Sequence, residues 1–188
     1  MRFMVATAVF EGADAIMLSA ESASGQYPLE AVATMNRIAE EVEQDANYWS
    51  IIAAQRATPE ATGSDAIAAA SHQIADTLGL RTVTAWTFSG ATAFRIARER
   101  PNSTVLALTP RRETARRLAL VWGVHPIVTK DANDIDDMAF RSAKFALREG
   151  YAKVGDRIIV VAGMPFGTPG ATNMVRIAYV TKDHAAKA

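Results

Sequence analysis

The sequence predicts an α/β domain in which helices cover both faces of a three-layer, open, mostly parallel sheet of about five strands. From residue 63 onward, helical and strand-like segments alternate with short connections, which is typical of parallel sheets. Segment 157–162 is almost continuously apolar, as a strand buried on both faces should be. Segment 174–180 follows too closely for a crossover helix, so we expect an antiparallel edge strand there.

The elements of this domain follow one another from residue 63 to residue 182. Thr109 and Pro110 are expected to cap and begin one of the helices, because a Thr N-cap and a first-turn proline both favour helix initiation. The helices are predicted at 65–78, 90–99, 110–121 and 134–149, and the strands at 82–87, 104–108, 124–128, 157–162 and 174–180.

The amino-terminal part has a different pattern. Residues 3–11 resemble the end of a helix that stops at Gly12, and residues 13–18 are predicted to form a short buried strand. Apolar residues recur at helical spacing over 28–46, and Pro28 suits the first turn of that helix. Breakers and small polar residues between 53 and 62 indicate a linker. We therefore divide the chain into residues 1–52, a linker 53–62, a domain 63–182 and a tail 183–188.

The composition excludes several classes of protein. The 188 residues include 20 Lys and Arg and 20 Asp and Glu, so the zero net charge gives no reason to expect binding to nucleic acid or an anionic membrane. There is no cysteine, which excludes disulfides, thiolate metal sites and a Cys nucleophile. No apolar run approaches the roughly 20 residues needed to cross a bilayer. We expect a cytoplasmic protein.

The loop between strand 82–87 and helix 90–99 is the first candidate binding feature. Residues 86–92 read Trp-Thr-Phe-Ser-Gly-Ala-Thr, so hydroxyl groups and unpaired backbone N–H groups meet where a helix begins. Such a helix N-terminus at the carboxyl end of a strand suits a phosphate. A serine cap followed by a glycine is also common without any ligand, and the tetrapeptide 89–92 alone favours that ordinary role.

The second candidate feature is the loop 162–173, which contains Gly163, Gly167, Gly170 and two prolines. This composition predicts a defined, non-helical turn. The loop is expected to leave the same edge of the sheet as Ser89, although an ordinary hairpin connection would have a similar composition. Two loops that can meet at one carboxyl edge indicate a small-molecule pocket more strongly than either loop alone.

Other polar residues give weaker signals. Since the net charge is zero, we interpret the basic residues of helix 110–121 as a solvated surface. The four arginines in question are Arg111, Arg112, Arg116 and Arg117. The histidines have no metal-ligand or triad spacing, so we expect no metal site and ordinary structural or surface roles for them. They are His72, His125 and His184. A Gly-x-Gly-x-x-Gly fingerprint is missing after every predicted strand, so a nicotinamide cofactor is not expected.

Several segments, in the correct order, resemble pyruvate kinase, the enzyme that transfers the phosphoryl group of phosphoenolpyruvate to ADP. The similarity extends from about Val5 to Val180. It is carried by segments 11–19 (EGADAIMLS), 17–30 (MLSAESASGQYPLE), 89–92 (SGAT), 98–101 (RERP), 122–124 (WGV) and 172–173 (TN).

The resemblance implies a two-part architecture. Residues 1–52 would be a remnant of the family's (β/α)8 barrel, which carries the active site. Residues 63–182 would be the carboxy-terminal α/β domain, which holds the allosteric site and helps to form the tetramer. In that family Ser19 and Glu21 would lie at the mouth of the last barrel strand.

The resemblance also assigns an effector site. Members of the family activated by fructose bisphosphate often carry basic residues in the first loop, where this sequence has Phe88 and Ala91. That difference weakens a fructose bisphosphate assignment and leaves a monophosphate, or no effector, open. By position, the loop that holds the effector phosphate corresponds to Thr87, Ser89, Gly90, Ala91 and Thr92, and the companion loop to Gly163, Gly167 and Gly170.

Ser19 and Glu21 cannot transfer a phosphoryl group by themselves, because that chemistry needs metal-bound carboxylates and a cation. The lysine, the Mg²⁺ ligands and the K⁺ site of the family would lie upstream of residue 1, so Mg²⁺ and K⁺ are implied only for full-length members. Residues 1–4 also depart from the family pattern. We therefore expect a truncated, catalytically inactive chain that binds a phosphorylated effector and assembles with itself or with a barrel-containing partner. The alternative is a stand-alone phosphometabolite-binding or interaction module.

Overall fold

The computed structural model describes residues 2–165 and 171–185. They belong to two compact units, Met1–Arg56 and Ala57–Ala188. Among the described residues, no helix is both long enough and apolar enough to cross a membrane.

The first unit contains four helices in its described residues: α1 (Arg2–Phe10), α2 (Ala20–Ala23), α3 (Pro28–Glu43) and α4 (Tyr48–Gln55). Apolar positions at helical spacing on three of these helices form one small core. Its buried members are Val5, Val9, Ile38, Val42, Tyr48 and Ile52. Other large apolar side chains stay in solvent, among them Phe3, Met17 and Leu29, which are more than four-fifths exposed.

The prediction of a buried strand at 13–18 is wrong. These residues form no strand, and none of them is fully buried. A strand is stable only when a neighbour pairs with its backbone N–H and C=O groups. The described residues of the first unit supply no such neighbour, so the apolar pattern of 13–18 does not produce a strand.

The second unit contains a five-stranded sheet made of β1 (Thr82–Trp86), β2 (Thr104–Thr109), β3 (Val124–Val128), β4 (Arg157–Gly163) and β5 (Thr172–Tyr179). The strand order is β3-β2-β1-β4-β5. The β3–β2, β2–β1 and β1–β4 pairs are parallel, and β4–β5 is antiparallel. The predicted mostly parallel sheet with an antiparallel edge strand is confirmed.

Helices cover both faces of this sheet: α5 (Gly63–Leu78), α6 (Ala91–Arg98), α7 (Arg112–Leu118) and α8 (Ile135–Arg148). Even-numbered residues of β4, such as Ile158 and Val160, share a core with Met138 of α8. Odd-numbered residues, such as Ile159 and Val161, belong to the core of the opposite face. Because side chains alternate along a strand, β4 must be apolar throughout to fill both cores.

Helix α7 is shorter than the predicted helix 110–121, and the predicted Thr109–Pro110 cap is wrong. Thr109 is the last residue of β2 and pairs with Val128 in β3. Its backbone therefore belongs to the sheet and not to the helix. Its hydroxyl accepts a hydrogen bond from the backbone N–H of Arg111, at 3.2 Å, so Thr109 shapes the turn before the helix instead of capping it.

Part of the predicted tail 183–188 is described, up to residue 185. Lys182–His184 form a short 3-10 helix. The backbone N–H of Thr181 donates to Nδ1 of His184 at 2.8 Å, and the buried imidazole ring lies 4.7 Å from the ring of Phe140, centroid to centroid. His184 thus packs against α8.

A buried carboxylate joins α5 to α6. Asp65 is only 1% exposed, and its carboxylate accepts hydrogen bonds from Arg95 Nε (2.9 Å), Arg98 Nη2 (2.7 Å) and the backbone N–H of Glu60 (3.0 Å). The Arg98 guanidinium, followed by the Glu60 N–H, holds the pKa of Asp65 below its ordinary value. The hydrogen bonds stabilise the charged form of the carboxyl group.

This arrangement predicts a loss of stability in acid. Since folding lowers the pKa of Asp65, its contribution is complete above the ordinary aspartate pKa of about 4 and is lost as the pH falls through the lower folded-state value. We expect Asp65→Asn to lower the Tm of the α/β domain by several degrees at pH 7 and to reduce the loss of Tm below pH 4.

Thermal unfolding followed by circular dichroism between pH 2.5 and 7 measures both effects. Asp136→Asn is the matched control, because the Asp136 side chain is 89% exposed in its pair with Arg176 and exposed pairs contribute little. Equal shifts in the two variants at pH 7 would contradict the role of Asp65.

Candidate functional site

The two loops singled out from the sequence leave the same edge of the sheet. Strands β1 and β4 are parallel neighbours, with Val83 beside Ile159 and Ala85 beside Val161. Thr87 and Met164, which follow these two strands, therefore emerge at one carboxyl edge. The expectation that both loops share an edge is confirmed for the described residues.

A buried hydrogen bond joins the two loop regions. The hydroxyl oxygens of Thr92, in the first turn of α6, and Thr172, at the start of β5, lie 2.8 Å apart. Both residues are less than 10% exposed. This contact brings the start of α6 against the end of the second loop, although the two residues are 80 positions apart in sequence. We call the group Thr87, Ser89, Gly90, Ala91, Thr92 and Gly163 the rim site.

The first loop turns sharply at Gly90. The Thr87 hydroxyl accepts a hydrogen bond from the Gly90 N–H at 2.9 Å, and Gly90 has a φ of 97°. An added Cβ would lie 3.3 Å from the ring of Phe94 and 3.4 Å from a methyl group of Thr114. Both the backbone conformation and the space therefore require glycine here.

The turn leaves backbone donors at the start of α6. The first helical hydrogen bond of this region runs from Phe94 N–H to the Gly90 carbonyl, so the N–H groups of Thr92 and Ala93 precede the helical bonding pattern. The Ala91 N–H has only a long contact, 3.4 Å, to the Ser89 hydroxyl. Since a helix N-terminus also carries a partial positive charge, this end of α6 can receive an anion.

The neck of the second loop is closely packed. A Cβ at Gly163 would lie 2.5 Å from the carbonyl oxygen of Ala171, so only glycine fits. The Asn173 side chain accepts from the Met164 N–H at 2.9 Å and donates to the Met164 carbonyl at 2.7 Å, which fixes the two arms of the loop. The predicted site residues Gly167 and Gly170 lie outside the described residues.

The four arginines predicted to form a solvated surface are all exposed, and two of them, in α7 and at its N-cap, also touch the first loop. Arg117 donates from Nη2 to the Ser89 carbonyl at 3.1 Å. The Arg111 guanidinium lies 5.1 Å from the centre of the Phe88 ring. Sequence reasoning missed these contacts, although one signal was present: α7 follows β2, which neighbours β1 and ends at the same edge.

The end of β1 is held from the other face of the sheet. The indole N–H of Trp86 donates to the Ser142 hydroxyl at 2.9 Å. The Arg141 guanidinium lies 4.9 Å from the centre of the Trp86 ring and donates to the Thr129 hydroxyl and to the Lys130 carbonyl. These contacts fix the residue that immediately precedes the rim site.

Ser19 and Glu21 belong to the first unit. The Glu21 carboxylate accepts the N–H of Ser19 at 3.2 Å, and hydrogen bonds from its own N–H and from that of Ser19 hold the pKa of Glu21 below its ordinary value. Both residues are exposed. Across 2–165 and 171–185, no three His, Asp or Glu side chains cluster as metal ligands, and Glu21 alone does not fit an Mg²⁺ site, which takes several oxygen ligands.

His72 and His125 make ordinary contacts in the second unit. His72 Nε2 lies 3.1 Å from the Asp76 carboxylate one helical turn away on α5. His125 Nε2 lies 3.4 Å from the Glu149 carboxylate, and the Arg148 guanidinium, followed by His125, lowers the pKa of Glu149.

Comparison with known sequences identifies the family. The family model described as "Pyruvate kinase, alpha/beta domain" matches residues 65–178, which is more than half of the chain. The chain belongs to the pyruvate kinase family. A second model, "Pyruvate kinase, barrel domain", matches residues 3–32. The sequence resemblance to pyruvate kinase is thereby confirmed.

The relatives are much longer than this chain. A pyruvate kinase of Methylorubrum extorquens is 70% identical over 184 residues, which are 98% of this chain and 38% of the relative. A pyruvate kinase of Clostridium acetobutylicum is 40% identical over 176 residues, 94% of this chain and 37% of the relative. The chain thus spans somewhat more than a third of the length of these curated relatives and corresponds to a carboxy-terminal part of pyruvate kinase.

The geometry of the first loop predicts that Gly90→Ala is more harmful than a similar change elsewhere. An alanine at a φ of 97° is strained, and forcing a residue into such a region costs on the order of 1–3 kcal/mol. The close contacts with Phe94 and Thr114 add to this cost. Gly79→Ala is the control, because Gly79 has a φ of 60° and open space around its Cβ position.

Urea unfolding of the two variants measures the difference in the free energy of unfolding. We expect Gly90→Ala to be destabilised more than Gly79→Ala. Equal destabilisation would mean that the added methyl group at residue 90 is accommodated without cost from the nearby Phe94 and Thr114 side chains.

Proposed function

We propose that the chain is the carboxy-terminal part of a pyruvate kinase-like glycolytic phosphotransferase, and that its α/β domain binds a phosphorylated small-molecule effector at the rim site. The observation that carries this proposal is the hydrogen bond between Thr92 and Thr172. It joins a helix N-terminus, whose first N–H groups precede the helical bonding pattern, to the neck of a second, glycine-rich loop. A phosphate placed there would accept hydrogen bonds from these N–H groups.

The chemistry of the rim site favours a single phosphate. The Ser89 side chain is exposed and its hydroxyl hydrogen can donate to a phosphate oxygen. Phe88 and Ala91, within the loop itself, offer no charge for a second phosphate. We therefore propose a sugar monophosphate or a nucleoside monophosphate, not a sugar bisphosphate.

We further propose that the chain acts in an assembly, either with a second copy or with a barrel-containing partner. In the first unit, Phe3, Met17 and Leu29 are exposed apolar side chains. In the second unit, β5 is an edge strand whose Ile177 and Tyr179 are 42% and 64% exposed. Exposed apolar surface and an unpaired strand edge both favour association.

Effector binding is tested by isothermal titration calorimetry of the full chain with AMP, ribose 5-phosphate, glucose 6-phosphate and fructose bisphosphate. We expect at least one monophosphate to bind more tightly than the bisphosphate. Ser89→Ala should weaken that binding about tenfold or more, since a hydrogen bond to a charged group contributes about 1.5–3 kcal/mol.

Thr77→Val is the matched control, because it removes an exposed hydroxyl group near the end of α5, and its affinity should equal that of the unmodified chain. If none of the four compounds binds, or if Ser89→Ala binds as well as Thr77→Val, the rim site is not an effector site.

The isolated chain is expected to have no kinase activity. Ser19 and Glu21 provide neither a set of metal ligands nor a cation to neutralise the charge of the transferred phosphoryl group. A lactate dehydrogenase-coupled assay with phosphoenolpyruvate, ADP, Mg²⁺ and K⁺ measures this directly. Pyruvate formation above the rate of a protein-free control would overturn the proposal of inactivity.

A further inference from the structure

The opposite end of the strands contains a small polar cavity. It has a volume of about 220 Å³ and lies where β1 and β4 begin. Since one water occupies about 30 Å³ in the liquid, the cavity can hold a small ion with a few waters but is below the usual ~300–1,000 Å³ of larger ligand pockets. The lining residues used below are Arg81, Thr82, Tyr151, Asp156 and Arg157.

Two arginines line this cavity. Arg157 is the first residue of β4, and Arg81 immediately precedes β1, the parallel neighbour of β4. The small cavity therefore receives two positive charges at the start of these strands.

Neither guanidinium group has a hydrogen-bonded partner among the described residues. Neither Arg81 nor Arg157 forms a side-chain ion pair or hydrogen bond within 2–165 and 171–185. The one acidic residue of the lining, Asp156, instead accepts the backbone N–H of Lys153 at 2.7 Å. The Thr82 hydroxyl is also occupied, because it donates to the Tyr151 carbonyl at 2.7 Å. Among the charged side chains of the lining, the two guanidinium groups are the ones that can donate to an anion.

We propose that this cavity is a second ligand site, distinct from the rim site, and that it binds a small oxyanion between Arg81 and Arg157. A guanidinium group presents its donors in a fixed fork that matches the two oxygens of a carboxylate or a phosphate. An oxyanion in the cavity would accept hydrogen bonds from both forks. The rim site offers backbone donors at a helix start, whereas this site depends on side-chain charge.

Calorimetric titration of the full chain with inorganic phosphate and, separately, with acetate tests the proposal, at constant ionic strength in chloride. We expect one of the two anions to bind, and the tighter one identifies the chemical class. Arg81→Gln and Arg157→Gln should each weaken that binding at least tenfold. Arg148→Gln should leave it unchanged, because Arg148 is an exposed arginine of α8 that pairs with its neighbour Glu149.

Two further measurements separate this site from the rim site and from a purely structural effect. Ser89→Ala should bind the anion as tightly as the unmodified chain, since Ser89 belongs to the other edge. With Ser89→Ala present to weaken the rim site, the tighter-binding anion should raise the Tm, and adding Arg81→Gln and Arg157→Gln should remove that rise. Absence of binding by both anions, equal affinity in the Arg81→Gln/Arg157→Gln double variant, or loss of binding in Ser89→Ala alone would overturn the proposal.

Discussion

The parallel pairing of β1 with β4 is the constraint on which the rest of the α/β domain depends. Its register sets Val83 against Ile159 and Ala85 against Val161, and the buried Thr84 hydroxyl donates to the Ile159 carbonyl at 2.9 Å. A shift of one residue would exchange the faces on which the side chains of either strand lie. Because both faces of this sheet carry a core, such a shift would disrupt both. The same pairing brings the two loops to one carboxyl edge, whereas Arg81 and Arg157 lie at the opposite, amino edge.

Helix α6 positions the backbone donors of the rim site, because contacts hold the helix at both ends. At its start, the Thr92 hydroxyl bonds to Thr172. Near its end, Arg95 and Arg98 bind the carboxylate of Asp65, whose own N–H donates to the Thr62 hydroxyl at the start of α5. The N–H donors of Thr92 and Ala93 are therefore fixed by contacts with β5 and α5. A donor that is fixed before a ligand arrives loses less conformational entropy on binding.

Local patterns in the sequence were sufficient to predict most of the secondary structure and strand pairing of the second unit. The continuous apolar run of β4 and the regular alternation of helix and strand signals predict the sheet, and short connections predict its parallel pairs. The same reasoning predicts that the loops after β1 and β4 meet at one edge. It could not predict the roles of Arg111 and Arg117, because these depend on where α7 lies relative to a loop more than 20 residues earlier. The prediction of a Thr109 cap is wrong for a related reason. Thr109 pairs with Val128 in the sheet, and this pairing outweighs the local preference of threonine for a helix cap.

The first unit shows what local patterns cannot decide. Residues 13–18 have the composition of a buried strand, yet they form none, because a strand needs hydrogen-bonding neighbours and the described residues of this unit provide only helices. In contrast, α1, α3 and α4 need only one another to bury Val5, Ile38 and Ile52. This segment matches the barrel-domain model of pyruvate kinase over residues 3–32, in relatives more than twice as long. The strand-like pattern of 13–18 therefore lies in a segment that matches a barrel-domain model, although the described residues of the unit form a helical core.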